Sequence, residues 1–344
     1  MIVYDIMSYY LEKGGKKMRN VRIREMAKQL PSKIVSSEEI DEKLKLPLGW
    51  TEKKSGVKQR HYVENETASD LAAEAIRKAL HKSKLSLEDI DAIICTSGTM
   101  EQAIPCTAAL IHEKLAPSKP IPAFDINSTC LSFVTGLDVI SHLIDSGTYK
   151  RAILVASEVA SVGLNEKQKE SYVLFGDAAV ACIIEKADET SGSRIHASKM
   201  ETYSEGAHYT EIRGGGTKLH PNYPHETEDN LFDMDGRKVY KLSAKVIQPF
   251  VSQLLQSAHL KMEDLQAVVP HQASGMAMRL IGKKLGIPEH KLINVIENYG
   301  NTIAASIPLA LYEAIQQGNI ERGDTIMLLG TSAGLSLGGI ILDY

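Results

Sequence analysis

One cysteine, Cys130, stands apart from the other three as a candidate nucleophile. It follows the short strand-like run Ala123–Ile126 and precedes an amphipathic helix expected over Leu131–Ile144. A thiol at a helix N-terminus meets unpaired backbone N–H groups and the positive end of the helix dipole, which favour the thiolate. The same N–H groups can hold a developing oxyanion. From position alone, the alternative is a buried structural cysteine.

Two further polar residues occupy positions from which a side chain can reach a ligand. His271 follows the strand-like run Ala267–Val269, and Pro270 should end that strand because proline lacks a ladder donor. A polar side chain at a strand end of an α/β sheet points towards the usual ligand crevice; the alternative is a surface histidine. Asn301 lies just before a helix expected over Ile303–Gln317, where asparagine is more often a cap or turn residue.

The sequence contains an internal repeat. Leu85–Ile94 matches Leu260–Val269 at an offset of 175 positions, and Ile153–Ser157 matches Ile326–Gly330 at an offset of 173. Two matches at nearly the same offset predict two halves of similar topology. The doubling places the candidate asparagine on the counterpart of the candidate cysteine, so both should face the junction of the halves.

Helical and strand-like patterns alternate along the chain from about residue 20. This alternation predicts an α/β protein whose sheets are covered by helices. The expected helices are Ala68–His81, Leu131–Ile144, Val239–Ala258 and Ile303–Gln317, and the expected strands are Ala92–Thr96, Ala123–Ile126, Ala152–Ala156, Ala179–Ile184, Ala267–Val269, Thr325–Leu329 and Leu337–Leu342. Residues 206–235 lack periodicity and are expected to form a long surface loop.

Composition excludes several functional classes. The chain has 344 residues, 43% of them hydrophobic and 24% charged, and a net charge of −4, which gives no reason to expect a nucleic acid or an anionic membrane as partner. The four cysteines show no disulfide or zinc spacing. A reducing, cytoplasmic location is therefore expected, and no metal site is expected. Residues 1–17 do not follow the order of a signal peptide and are expected to be an extension outside the fold.

The order cysteine, histidine, asparagine also occurs in papain-like thiol hydrolases. The residues around Cys130 lack the Cys-Gly-Ser-Cys-Trp run of those enzymes, and such a hydrolase needs no internal repeat. A hydrolase is therefore the weaker interpretation.

Several ordered motifs resemble the ketoacyl-acyl carrier protein synthase III family over nearly the whole chain from about Val21. The motifs are Trp50 with Ser55-Gly56-Val57 and Arg60-His61, Asp125-Ile126 before Cys130, Leu174-Phe175-Gly176-Asp177, Met234–Lys241, Val269-Pro270-His271-Gln272-Ala273, Gly300-Asn301-Thr302 with Ala304-Ala305-Ser306, and the glycine-rich C-terminus.

The resemblance implies a five-layered αβαβα thiolase fold with an N-terminal half over residues 18–190 and a C-terminal half over residues 191–344. It implies a homodimer that condenses an acyl-CoA primer with a malonyl group carried by acyl carrier protein or by CoA. The CoA thioester is a substrate, and no cofactor is expected. Cys130 would carry the acyl group, His271 and Asn301 would stabilise the malonyl enolate, and the backbone N–H groups of Cys130 and Ala333 would hold the oxyanion.

Departures from the family pattern concern substrate binding. Beside Trp50, the two arginines that commonly contact CoA phosphates correspond to Lys54 and Lys169, which keep the charge but lose the bidentate geometry. A usual asparagine corresponds to Ser274. A usual arginine two residues further on is methionine here, and Arg279 is expected to substitute for it.

Primer size is predicted from Ile104. Typical members have an aromatic residue there that closes the partner subunit's acyl tunnel, so isoleucine should leave room for primers beyond acetyl. Related long-chain condensing enzymes have a glutamate at that position; Glu101, three residues earlier, argues against their non-decarboxylating chemistry. The alternatives are such a condensation, another acyl transfer of the thiolase fold, and a non-catalytic partner subunit. The last class typically lacks the nucleophilic cysteine.

Overall fold

The computed structural model describes residues 18–188, 191–220 and 222–344, so the extension expected over residues 1–17 lies outside the described residues. In chain order the strands are β1 Val21–Gln29, β2 Lys33–Ser36, β3 Gln59–Tyr62, β4 Ala92–Cys95, β5 Ala123–Asp125, β6 Arg151–Glu158, β7 Ala178–Lys186, β8 Arg194–Thr202, β9 Thr210–Glu211, β10 Asp233–Met234, β11 Ala267–Pro270, β12 Thr325–Ser332 and β13 Ser336–Asp343.

Ten α-helices are found in the described part of the chain. They are α1 Ser37–Lys43, α2 Trp50–Ser55, α3 Ala68–Ser83, α4 Thr107–Leu115, α5 Ser132–Asp145, α6 Lys169–Tyr172, α7 Gly236–Ser257, α8 Gly275–Leu285, α9 Ile296–Tyr299 and α10 Ser306–Gln316. Short 3₁₀ turns precede several strands and helices. Among them, Leu87–Asp89 and Met262–Asp264 occupy equivalent places before β4 and β11.

Two sheets of matching topology form the framework. The first has the order β1-β7-β6-β4-β5, and the second has the order β8-β13-β12-β11. In the first sheet β6, β4 and β5 run parallel, and in the second sheet β12 and β11 run parallel. Strands β7 and β13 are antiparallel to both of their neighbours. A parallel bridge from Val268 to Leu292 takes the place of a fifth strand beside β11. The two segments of the internal repeat thus lead into equivalent strands, β4 and β11.

The sheets and helices stack in five layers. Helices α5 and α10 lie between the sheets, where Leu137 and Leu311 share one core with Ile94 of β4 and Val269 of β11. Helices α3 and α4 cover the outer face of the first sheet. Helix α7 covers the outer face of the second sheet, and α8 packs against α7. Because both faces of each sheet are buried, the central strands are continuous apolar runs.

Two helix starts differ from expectation. Helix α5 begins at Ser132, one residue later than expected, with Leu131 as its N-cap, so Cys130 lies in the turn before the N-cap. The helix expected from Ile303 begins at Ser306, after a 3₁₀ turn over Ile303–Ala305. Ile303 has a left-handed backbone with φ of 49°, which is incompatible with a continuous helix and costly for a β-branched residue.

Candidate active site

Cys130 lies in a tight turn between β5 and α5. The N–H of Leu131 donates to the carbonyl of Ser128 at 3.1 Å, and Thr129 has a left-handed φ of 51°. The backbone N–H groups of Cys130 itself and of Ala333 both lie near enough to the Cys130 sulfur to lower the pKa of its thiol. Ala333 belongs to the turn between β12 and β13, so the second sheet supplies one of the two donors. The two backbone groups expected to form an oxyanion hole therefore converge on this sulfur.

The ionisation of Cys130 differs from the sequence-based expectation. Burial, and secondly the nearby carboxylate of Glu158, raise the pKa of the Cys130 thiol to about 12, although the two N–H groups act in the opposite direction. The free protein therefore holds this cysteine as a thiol, and the expectation of a favoured thiolate is wrong. Desolvation of the sulfur outweighs the hydrogen bonds that stabilise its charged form.

His271 is buried at the carboxyl end of β11, directly after Pro270, which ends the strand as expected. Its Nδ1 atom lies 2.5 Å from Oγ of Ser306, the first residue of α10. Burial lowers the pKa of His271 to about 4, so the imidazole is neutral at physiological pH.

Asn301 is held by a crossing between the two halves. Its backbone N–H donates to the carbonyl of Leu174 at 2.8 Å, and its carbonyl accepts from the N–H of Gly176 at 3.1 Å. The crossing requires glycine, because a Cβ at Gly176 would lie 2.2 Å from the carbonyl oxygen of Tyr299. The motif Leu174–Asp177 therefore positions the asparagine, whose Oδ1 accepts from the N–H of Ile303 at 2.9 Å.

The segments that carry these three side chains meet at the junction of the halves. A Cβ at Gly98 would lie 2.8 Å from Ile303 and 3.1 Å from Thr129, so the loop after β4 sits between the cysteine turn and the asparagine turn. A Cβ at Gly330 would lie 2.9 Å from Leu131 and 3.2 Å from His271. The C-terminal glycines thus make room for the leucine that follows the nucleophile.

Glu158, the last residue of β6, is a buried residue of the site that sequence reasoning missed. Its carboxylate accepts hydrogen bonds from the N–H groups of Gly98, Thr99 and Ala304 and from the hydroxyl of Thr99. Burial raises the pKa of Glu158 to about 7 against these hydrogen bonds. The available signal was a carboxylate that ends an apolar strand-like run in an α/β sheet.

Three of the predicted substrate-binding residues lie in one neighbourhood. The Nζ atom of Lys54 lies 5.6 Å from the centre of the Trp50 ring and 3.0 Å from a carboxylate oxygen of Glu170. Glu170 follows Lys169 on α6, and Lys169 is exposed. The ion pair with Glu170 thus brings α2 and α6 together and leaves Lys169 facing solvent.

Helix α8 carries two further predicted substrate-binding residues. Ser274 is its N-cap, and its hydroxyl oxygen accepts from the N–H of Ala277 at 3.1 Å. The Ser274 hydroxyl oxygen therefore already accepts a hydrogen bond from the first turn of α8. Arg279 is exposed one turn further on. Its guanidinium lies close to Gly275, which packs against Gly56, the residue that follows α2.

Ile104 is 85% exposed in the single chain, and Met100 on the same loop is 54% exposed. Two large apolar side chains on one exposed loop favour burial against another molecule. Along the described residues, no helix is both long and apolar enough to cross a membrane.

Comparison with known proteins gives consistent matches. The model of the 3-oxoacyl-[acyl-carrier-protein] synthase III family matches residues 124–204, and the model of its C-terminal region matches residues 255–344. Beta-ketoacyl-[acyl-carrier-protein] synthase III of Clostridium perfringens is 35% identical over 94% of this chain and 99% of its own length.

Two crystal structures of 3-oxoacyl-[acyl-carrier-protein] synthase III are also similar. The enzyme of Aquifex aeolicus VF5 superposes with a TM-score of 0.85 at 29% identity, covering 95% of this chain and 100% of that one. The enzyme of Pseudomonas aeruginosa PAO1 gives 0.84 at 27% identity, covering 95% and 98%. The expected five-layered thiolase fold is confirmed.

Proposed function

This chain belongs to the 3-oxoacyl-[acyl-carrier-protein] synthase III family, and we propose that it joins an acyl-CoA primer to a malonyl thioester by decarboxylative Claisen condensation. The observation that carries the proposal is the pair of backbone N–H groups, from Cys130 and Ala333, that converge on the Cys130 sulfur. This arrangement suits a nucleophile whose acyl adduct develops negative charge on oxygen beside the sulfur.

In the first half-reaction, the Cys130 sulfur attacks the thioester carbonyl of acyl-CoA. The bond from the carbonyl carbon to the CoA sulfur breaks, a thioester to Cys130 forms, and CoA leaves as a thiol with the proton that Cys130 gives up. The N–H groups of Cys130 and Ala333 hold the intermediate oxyanion, and the surrounding burial keeps water from the acyl-enzyme.

In the second half-reaction, His271 and Asn301 act on the malonyl thioester. Neutral His271 offers its Nε2–H when Nδ1 accepts from Ser306, and Asn301 offers Nδ2–H because its Oδ1 is occupied by the N–H of Ile303. Both donate to the thioester oxygen as carbon dioxide leaves and an enolate forms. The enolate carbon attacks the acyl carbon on Cys130, releasing the 3-oxoacyl product and the Cys130 sulfur, which regains a proton.

The entrance residues suit anionic substrates. We propose that Lys54 and Lys169 contact the phosphates of CoA; the position of the Lys54 ammonium beside the Trp50 ring supports this proposal. Arg279 and the two lysines that end α8, Lys283 and Lys284, add positive charge for the phosphopantetheine of an acidic carrier protein. Acyl-CoA and malonyl-acyl carrier protein or malonyl-CoA are the proposed partners, and the cytoplasm is the proposed location.

A homodimer is proposed from the exposed loop that carries Met100 and Ile104. In the family pattern this loop closes the acyl tunnel of the partner subunit, so a second copy is the molecule that would bury it. Light scattering coupled to size-exclusion chromatography tests this assembly directly.

The deciding experiment measures intact-protein mass after incubation with acyl-CoAs of increasing chain length. We expect a gain of one acyl group on the tryptic peptide that contains Cys130, and none in Cys130→Ala. Labelled malonyl thioester is then added, and carbon dioxide release is measured. A non-catalytic partner subunit would show neither acylation nor release, a non-decarboxylating condensation would keep the carboxyl carbon, and labelling at Cys95, Cys106 or Cys182 would refute the nucleophile.

A further inference from the structure

We propose that Glu158 is the positioning residue of this site: its ionised carboxylate joins the loops of the two halves and so holds the turns that carry Cys130 and Asn301 in place. The inference rests on the proposed function, because it explains how one group serves both half-reactions. The Glu158 side chain is 0% exposed, and its carboxylate is held by hydrogen bonds.

Each carboxylate oxygen of Glu158 accepts from at least two donors. Oε1 accepts from the N–H of Gly98 and from the N–H of Ala304, the latter at 3.3 Å. Oε2 accepts from the N–H of Thr99 at 3.0 Å and from its hydroxyl at 2.6 Å. Gly98 and Thr99 belong to the loop after β4, whereas Ala304 follows the turn that carries Asn301. One side chain therefore links the two halves where the catalytic turns meet.

The linked segments are those with unfavourable backbone geometry. Thr129 before the nucleophile and Ile303 after Asn301 are both β-branched residues with left-handed backbones, and both pack against Gly98. Such conformations persist only where the surrounding contacts over-determine them. Because Glu158 binds Gly98 on one side and Ala304 on the other, it is placed to hold both turns.

The chemistry of the donors requires a carboxylate. Three of the four donors are backbone N–H groups, which cannot turn round to accept. An amide in place of the acid would direct its NH₂ group at one or two of them, and a protonated acid would direct its O–H similarly. The ionised form is therefore the one that satisfies all four donors.

The same charge acts on the nucleophile. Two titratable groups from neighbouring elements, Cys130 before α5 and Cys95 at the end of β4, have their pKa values raised by Glu158 as well as by burial. Cys95 is fully buried and is also affected by Asp125, so Cys130 is the cysteine whose titration reports on the charge of Glu158. A thiol that stays protonated until the acyl thioester arrives is protected from other electrophiles.

The test compares Glu158→Gln, Glu158→Asp and wild type in two assays: alkylation of Cys130 by iodoacetamide across pH, and carbon dioxide release from malonyl-CoA. In Glu158→Gln we expect the midpoint of the alkylation profile to fall by about one pH unit or more because a like charge is removed. Carbon dioxide release should decrease by about 10–100-fold because the asparagine turn is misplaced. In Glu158→Asp the charge remains, so the midpoint should stay while release decreases.

Glu185→Gln is the matched control. Glu185 is also buried, but it lies on β7 opposite Arg151, at the far end of β6 from Glu158. Glu185→Gln should leave both the alkylation midpoint of Cys130 and the rate of carbon dioxide release unchanged. A merely structural role for Glu158 would slow both reactions without moving the alkylation midpoint, and that outcome would overturn the proposal. If Glu158→Gln does not fold, unchanged release in Glu158→Asp overturns it. Wild-type carbon dioxide release tests the proposed function separately.

Discussion

The backbone N–H of Ile303 donates to Oδ1 of Asn301 at 2.9 Å, across a turn in which Ile303 itself is left-handed. This hydrogen bond settles the orientation of the side-chain amide, because an NH₂ group at the same place would face another donor. The Nδ2 group is therefore free to donate to a substrate. The strained turn therefore orients the Asn301 amide so that it donates a hydrogen bond to the substrate instead of accepting one.

Asn301→Asp tests that orientation. Aspartate keeps an acceptor for the N–H of Ile303 but has no N–H to offer, so the turn should survive while the donor is lost. Carbon dioxide release from a malonyl thioester should decrease by about 10²–10³, the usual cost of one preorganised donor, whereas acylation of Cys130 should persist.

The matched control for this change is Asn298→Asp, an exposed asparagine of the same segment. It introduces the same charge three residues away and should leave release unchanged. Release at the wild-type rate in Asn301→Asp would show that Nδ2 does not contact the substrate.

Ser306→Ala tests the proton position on His271. The Ser306 oxygen accepts from the N–H of Gln272 at 3.4 Å, and its hydroxyl hydrogen can donate to Nδ1 of His271. We expect this arrangement, in which the imidazole proton is on Nε2. Without the hydroxyl this tautomer loses a hydrogen bond of about 1–1.5 kcal/mol, and carbon dioxide release should decrease roughly tenfold. Acylation of Cys130 by acyl-CoA should change little.

Ser141→Ala is the control for a buried serine in the same central layer, since Ser141 is fully buried on α5 and donates to the carbonyl of Asp138. It should not affect release. Equal effects of the two substitutions would indicate a loss of packing and not of tautomer control.

The framework could be predicted from the sequence because its signals are local. Central strands such as β4 and β6 are apolar runs, and the repeated segments before β4 and β11 exposed the doubling. Strands β1 and β8 were missed, because charged and polar residues interrupt their apolar positions at the sheet edges. An edge strand exposes part of its length to solvent, so its sequence lacks a continuous apolar pattern.

The site was only partly predictable for a related reason. A thiol and a histidine at element ends can be found from spacing, and the structure brings their segments together. The ionisation state of Cys130 could not be predicted from residue spacing, because it depends on burial and on Glu158, which is 28 positions further along the chain. Glu158 binds donors from two segments that are distant in sequence, the loop at Gly98–Thr99 and the turn at Ala304, and no local pattern predicts that they meet.

Ile104→Phe tests primer choice. Wild type should be acylated by primers longer than acetyl-CoA, because isoleucine is smaller than the aromatic residue typical of the family. Phenylalanine should restore the preference for acetyl, and each methylene excluded from the pocket should cost about 0.8 kcal/mol, or roughly a factor of four in acylation rate. The measurement is acyl mass gain across a series of chain lengths.

Leu48→Phe serves as the control, because Leu48 is 82% exposed on a different loop, close to the 85% of Ile104. Its primer profile should match that of wild type. Acylation of wild type by acetyl-CoA alone would contradict the pocket argument.

Two buried groups of the site have opposite effects on stability as pH changes. The pKa of His271 is lowered by burial to about 4, so this residue contributes stability at neutral pH that is lost as pH falls from about 6.5 towards 4. The pKa of Glu158 is raised, chiefly by burial, to about 7, so its contribution is present at low pH and is lost as pH rises through about 7. Between pH 7 and 5 the two changes offset each other in wild type.

His271→Gln should separate these two contributions. Glutamine does not titrate. As pH falls, the variant therefore still gains stability from the protonation of Glu158, but it does not lose the stability that wild type loses at His271. Relative to wild type, its free energy of unfolding should therefore increase by about 2 kcal/mol between pH 7 and pH 5, whatever the packing cost of the substitution at neutral pH. The measurement is urea unfolding of both proteins at the two pH values. His208→Gln is the control for losing a histidine that is not buried: that side chain is 77% exposed, so its variant should not reproduce the increase seen in His271→Gln. If both variants change equally with pH, His271 is not held neutral by its burial.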